Sequence, residues 1–241
     1  MNLKRVSIYV HIPFCARRCA YCDFNTYAWR GSIVRDTLDA ICQHIASVDA
    51  EDIIVPTIFF GGGTPSLPEP ERIIRILDTI RSRFRVLPDA EISIEANPGT
   101  VDRSRFAALR QAGFNRLSMG VQAFDDHLLK ALGRIHTSDE AIRSYEAART
   151  AGFENINLDL MFALPDQTMR QWQHTLRIAV SLQPEHLSCY ALTIEPHTPF
   201  YTMYQRGQLN LPDEQTDLRM YQYTIRTLTR AGYEHYEISN F

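Results

Sequence analysis

The alternation of strand-like and helix-like stretches constrains this chain more than any other feature. Short runs at Ser7–Ile12, Pro56–Gly61, Glu91–Asn97, Arg116–Gln122, Asn155–Phe162 and Glu185–Thr193 have strand character, and each is followed by helical spacing of apolar residues. The helical stretches are Ser32–Val48, Pro70–Phe84, Val101–Ala112, Asp125–Leu132 with Ser138–Ala151, Thr168–Leu182 and Glu214–Ala231. Ser32 is a candidate N-cap, and a last strand-like piece covers Glu234–Ser239. Strands alternating with helices pair in parallel through right-handed crossovers. Six such βα units are two short of a closed eightfold barrel, and no linker or low-complexity stretch divides them. Ala112-Gly113-Phe114, Ala151-Gly152-Phe153 and Ala231-Gly232-Tyr233 mark one helix-to-strand turn three times, each with a glycine suited to a left-handed helix end.

In parallel α/β folds, sites gather at the C-terminal ends of strands. The chemistry-bearing residues of this chain fall there. After the first strand comes Tyr9–Phe24, YVHIPFCARRCAYCDF, which places Cys15, Cys19 and Cys22 in the spacing C-x₃-C-x₂-C. Thiolates suit zinc, Cu(I) and iron–sulfur clusters, and Cys is the usual ligand of a four-iron cluster. Of the five cysteines, Cys42 lies in a helical pattern and Cys189 in a strand-like run, so the loop supplies three ligands and leaves one position open. The same spacing admits a zinc site completed by a residue such as His11, or three incidental thiols. The second strand ends in Gly61-Gly62-Gly63-Thr64-Pro65, where glycines permit close backbone approach. Glu95 and Asn97 share one face at the end of the third strand. Gln122 ends the fourth and Asp159 lies in the fifth. Polar groups in strands need partners when buried, so each is readable as a ligand contact or as a core hydrogen bond.

These motifs together resemble the radical S-adenosylmethionine (SAM) enzymes. C-x₃-C-x₂-C with an aromatic residue, Tyr21, before the last Cys is that family's signature. The frame HIPFC…YCDF…GGGTPS, with YEISNF at the end, resembles the oxygen-independent coproporphyrinogen III oxidase group and, within it, the haem chaperone branch. The resemblance implies an α/β fold, an open (β/α)₆ partial TIM barrel with strands inside and helices outside. It implies a [4Fe–4S] cluster on Cys15, Cys19 and Cys22 whose unique iron is chelated by the amino and carboxylate groups of SAM. Reduction of that complex gives methionine and a 5′-deoxyadenosyl radical. Carried over residue by residue, Tyr9 and Tyr21 stand at the cluster. Gly62, Gly63 and Thr64 hold the methionine end of SAM, and Glu95, Gln122, Arg134 and Asp159 contact it. Ala191 contributes a backbone-type contact.

Coproporphyrinogen dehydrogenases of the group carry a further Cys two residues after the third cluster Cys, where this chain has Phe24. That departure favours the chaperone branch, which binds haem and passes it to apo-cytochromes of the respiratory chain. The alternative it disfavours is oxidative decarboxylation of two coproporphyrinogen propionates to vinyls. An electron donor of unidentified kind is implied in either case. Chains of the group continue beyond YEISNF, so residues 1–241 are expected to be the core domain without the family's C-terminal region. None of the eight histidines stands out as a haem ligand by spacing.

Composition narrows the rest. A net charge of −3, with charges interspersed, gives no electrostatic case for nucleic acid. Close cysteines without a secretory leader read as metal binding in a reducing compartment. The N-terminus is basic and then apolar, but Pro13 and the thiols interrupt it without a small-residue cleavage site. No run of about 18 apolar residues is present to span a bilayer. A cytoplasmic protein is expected, with room for peripheral membrane contact.

Overall fold

The structure, a computed structural model, describes residues 3–50 and 52–241. Its strands are β1 (Lys4–Arg5), β2 (Ile8–Ile12), β3 (Phe14–Cys15), β4 (Tyr27–Ala28), β5 (Ile53–Gly62), β6 (Arg85–Ala96), β7 (Arg116–Gln122), β8 (Asn155–Phe162) and β9 (His186–Ala191). Its helices are α1 (Gly31–Ser47), α2 (Pro70–Arg83), α3 (Arg103–Gln111), α4 (Asp126–Leu132), α5 (Ser138–Thr150), α6 (Met169–Leu182), α7 (Pro199–Gln205) and α8 (Glu214–Arg230). One seven-stranded sheet runs β5-β6-β7-β8-β9, with β1 and β2 both on the free side of β5. Every pairing between its named strands is parallel. The expected open α/β half-barrel is therefore the observed architecture.

Successive side chains of a strand point to opposite faces. On one face Ile58, Phe60, Ile92, Ile94, Leu117, Met119, Ile156, Leu158 and Leu187 are buried in the main apolar core with helix residues such as Leu38, Ile76, Phe106 and Trp172. The intervening positions form the concave face, and the parallel register aligns them in rows. One row is Glu95, Ser118, Asn157, His186; another holds Gly120, Asp159, Ser188. The barrel interior is thus polar.

Local signals set the helix ends. Thr137 and Thr168 make capping boxes with Glu140 and Gln171, and Asp102, Asp125 and Asp213 cap α3, α4 and α8. The three recurring glycines have φ of 104°, 97° and 97°, as the turn requires, and Phe114 and Phe153 after the first two are buried.

Two expectations are corrected. Ser32 is not an N-cap: α1 begins at Gly31, and Arg30 holds the cap position without a side-chain bond. The cap falls two residues earlier than expected, directly after Trp29, whose N–H is fixed to Cys15 O at 2.9 Å. Glu234–Ser239 is not a strand. The Glu237 carboxylate accepts from Ser239 N and from the Asn240 amide, which curls the segment. Its backbone meets the sheet at Ser239, and the next residue, Asn240, bridges to Ser188 in the antiparallel sense. The sequence reading also lacks α7, although Thr198-Pro199 is a readable cap followed by proline in the first turn.

Candidate metal and cofactor site

The cysteine loop leaves β2 and is closed at its base by β3 pairing with β4. Tyr27 N donates to Pro13 O at 2.7 Å. His11 ties the loop from inside the barrel. Its Nε2 donates to Asn25 O at 3.0 Å, while Nδ1 accepts from Tyr9 OH at 3.2 Å. Both ring nitrogens are thereby committed, so His11 serves as a loop anchor and not as the fourth ligand of a zinc site. On the far side Ala20 N donates to Leu132 O and Phe200 N to Ala20 O, each at 3.0 Å.

The glycine run docks against this loop. Gly63 N donates to Ile12 O and Thr64 N to Phe14 O, both at 2.8 Å. A Cβ at Gly63 would stand 2.6 Å from Phe14 O, next to Cys15. Glycine is thus required there by the protein's own backbone, a reason additional to ligand approach. Gly62, at φ 116°, points its N–H at Glu95 Oε2, 3.1 Å away.

Cys15, Cys19 and Cys22 are free, half-buried, and line one cavity of about 300 Å³. Cys42 and Cys189 are buried elsewhere, and neither lines it. The cavity also takes in Tyr21, Gly62, Gly63, Glu95, Gln122, Arg134, Asp159 and Ala191, so most of the residues singled out in the sequence converge. Tyr9 and Thr64 do not line it. Tyr9 is 59% exposed, its ring stacked on Phe59. Thr64 is buried behind Cys15, where its hydroxyl accepts from Asn97 Nδ2 at 2.6 Å. Phe24, 66% exposed, sits at the cavity wall.

Half-buried Arg134 knits the cavity together. It donates to Asn97 Oδ1 at 2.5 Å, to Gly120 O, and to Cys19 Sγ at 3.5 Å. Burial and the neighbouring thiols keep the Tyr21 phenol protonated. Gln122, a non-glycine residue at φ 70°, accepts from Tyr190 OH at 3.0 Å. Two carboxylates face the same space. Burial, together with the charge of Asp159, pushes Glu95 up to about 7, against the pull of the Gly62 N–H. Burial also raises Asp159, while hydrogen bonds from Asn157 and Ser118 draw it back. A cationic or hydroxyl-bearing ligand would relieve both. Sequence reasoning missed Thr26, Ser118 and Tyr190, all in the lining. Ser118 was within reach of the period-two rule applied from Gly120.

Among the described residues, no three His, Cys, Asp or Glu side chains close around a single ion. The donor set instead fits a larger sulfur-bearing centre. The Thr26 hydroxyl, beside Cys15 and Cys22, and Arg134 Nε are buried without partners. The three thiolates would hold the irons of such a centre, and its sulfides would offer these donors an acceptor.

The radical SAM superfamily matches residues 9–179. The chain is 42% identical over 240 residues to the haem chaperone HemW of Bacillus subtilis, covering 98% of this chain and 63% of that protein. It is 42% identical over 247 residues to HemW of Escherichia coli, covering 100% and 64%. Among solved structures, the coproporphyrinogen III oxidase HemN of Escherichia coli, described as a radical SAM enzyme, superposes with a TM-score of 0.88 at 35% identity. That match covers 98% of this chain and 55% of HemN. The chain spans somewhat less than two thirds of the length of the curated relatives it matches. The half-barrel, the thiol-lined cavity and these matches agree: this chain belongs to the radical SAM superfamily.

Proposed function

We propose that residues 1–241 form the cofactor-binding core of a haem chaperone, which binds haem and passes it to an apo-cytochrome or another respiratory-chain acceptor. The carrying observation is the convergence of Cys15, Cys19 and Cys22 on one cavity whose floor holds Glu95 and Asp159. Membership of the superfamily implies a [4Fe–4S] cluster and SAM. Cys15, Cys19 and Cys22 would hold the cluster, and Thr26, Thr64 and Arg134 stand beside those thiols. When bound, the cluster supplies the single electron that SAM cleavage requires, drawn from a separate donor. Glu95 and Asp159, both in the lining, would accept from the ammonium or ribose hydroxyls of SAM. Gly62, Gly63 and Ala191 offer backbone, Gln122 offers its amide, and Tyr21 closes the space behind Cys19. Tyr9 braces the loop through His11.

The haem role is supported by the HemW relatives at 42% identity and by Phe24, which stands at the cavity wall in place of the decarboxylases' further Cys. The likeness to HemN sustains the second reading, propionate decarboxylation of coproporphyrinogen III. Among the described residues no helix is long and apolar enough to cross a membrane. A cytoplasmic setting, with peripheral membrane contact during delivery, fits the chaperone reading.

One anaerobic experiment separates the readings. Cluster-reconstituted protein, extended to the full length of its relatives, is incubated with SAM, a reductant and coproporphyrinogen III, with a parallel haem titration. Saturable haem binding and transfer to an apo-cytochrome, without vinyl product, is the expected result. Vinyl product with methionine and 5′-deoxyadenosine would replace the chaperone reading with the decarboxylase.

A further inference from the structure

Asn157, on the concave face of β8, does not itself line the cavity but bonds directly to two residues that do, and every polar position of its side chain is used. Its Nδ2 donates to Asp159 Oδ1 and to Ser118 Oγ, both at 2.8 Å. Its Oδ1 faces His186 Nδ1 at 2.7 Å and the Ser188 hydroxyl at 3.3 Å. Ser118 Oγ in turn donates to Asp159 Oδ2 at 3.2 Å. His186 Nε2 lies 2.6 Å from Tyr236 OH.

The direction of these bonds follows from one end. The Asp159 carboxylate accepts, so the amide N–H₂ of Asn157 faces it. The amide oxygen then faces His186, which must carry its proton on Nδ1. Nε2 is left with a lone pair, and the Tyr236 hydroxyl donates into it. The Nδ1 proton is thereby specified from the Asn157 side, and in the neutral imidazole Nε2 is the acceptor of the Tyr236 hydroxyl. Burial lowers the readiness of this imidazole to protonate, in keeping with that state. Tyr236 is exposed and belongs to the segment whose end pairs with β9, through Cys189 N to Ser239 O at 2.7 Å and two bonds between Leu187 and Phe241. Ser188 Oγ also reaches Asn240 Oδ1 at 2.9 Å, a second tie to the same segment.

We infer that Asn157, His186 and Tyr236 are positioning residues for Asp159, forming a one-way hydrogen-bonded chain that runs from the segment paired with β9 to the carboxylate in the cavity. The chain holds that carboxylate as an acceptor in one orientation. This rests on the reading of the cavity as a SAM site. It assigns work to residues far from the cysteine loop and makes the 234–241 segment part of the ligand site.

The test uses the 241-residue chain, reconstituted with iron and sulfide under anaerobic conditions. SAM affinity is measured by equilibrium dialysis and cluster content by iron analysis. Asn places an amide N–H where His carries Nδ1–H, so H186N keeps the donor and H186L removes it. H186L and the reference variant D159N are expected to weaken SAM binding about tenfold or more, the cost of a misplaced charged hydrogen bond, with iron content unchanged. H186N should stay within about twofold of wild type on the same scale. Equal weakening by H186N and H186L would reduce His186 to a shape-filling role and overturn the proposal. Wild-type affinity in H186L with loss in D159N would overturn it while leaving the SAM reading intact; no effect in D159N would remove both. Should H186L fail to fold, Y236F at the surface serves instead. It should move the His186 Nε2 signal in ¹⁵N NMR and weaken SAM binding measurably, and wild-type affinity in Y236F with the NMR shift present would refute the chain.

Discussion

The two faces of the sheet share one backbone and have opposite chemistry. The outer positions of β5 to β9 are apolar and sealed by helices. The inner positions, one residue away in each strand, are Glu95, Ser118, Asn157, Asp159 and His186. A closed eightfold barrel fills its interior with Val, Ile and Leu, and parallel strands usually read as continuous apolar runs. Here the outer face carries the stability and the inner face is free for recognition. Its buried polar groups are tolerated because most are bonded to one another. Of the six buried side-chain polar atoms without partners among the described residues, two, Thr26 Oγ1 and Arg134 Nε, lie at the thiols, where a sulfur-bearing group is expected.

Substitutions that separate the faces test this division. The largest effect is all-or-none. Cys15→Ala, Cys19→Ala and Cys22→Ala should each abolish iron–sulfur assembly, whereas Cys42→Ala and Cys189→Ala should keep the wild-type iron and sulfide content. Equal loss across all five would end the ligand assignment. Next, Phe60→Ala on the outer face should cost about 3–5 kcal/mol in denaturant unfolding, while Asp159→Asn on the inner face should leave the unfolding midpoint nearly unchanged. Comparable losses in both would collapse the distinction.

Gly63→Val tests where the glycine run belongs. A side chain there meets the Phe14 backbone, so about 1–3 kcal/mol of overpacking should fall on the cysteine loop and lower iron content as well as SAM affinity. Normal iron content with weakened SAM binding would show instead that the glycine serves the ligand alone.

The smallest effect is a pH dependence. Glu95 titrates at about 7 in the folded chain, above its ordinary 4.5. The folded state therefore binds more protons than the unfolded one across that window, and the contribution of Glu95 to stability falls as pH rises through it. A cationic ligand favours the ionised form, so SAM affinity should climb as pH passes from 6 to 8, and Glu95→Gln should flatten that profile. A wild-type profile in the variant would place the proton elsewhere.

The fold was largely legible because its signals are local. The strands Arg116–Gln122 and Asn155–Phe162 match their expected bounds, and the Ala-Gly-aromatic turns recur where helices stop. The three-cysteine spacing separated Cys15, Cys19 and Cys22 from Cys42 and Cys189, as the cavity does. What stayed hidden depends on contacts between distant segments. Gly63 is a glycine because of Phe14, 49 positions earlier in the chain. His11 is an anchor because of Asn25, and Tyr9 turns out of the cavity to stack on Phe59. Thr26, in the cysteine loop, carries no periodic signal that distinguishes a hydroxyl facing a site from one facing water.

The antiparallel end of the chain has a consequence for behaviour in solution. A strand with an unpaired outer side offers its backbone groups to another segment. Ser239–Phe241 occupy that side along Leu187–Cys189 and run against the direction of every other strand in the sheet. A strand offered by another copy would have to displace three backbone hydrogen bonds before it could dock. The same few residues thus cover the outer side of β9 along Leu187–Cys189.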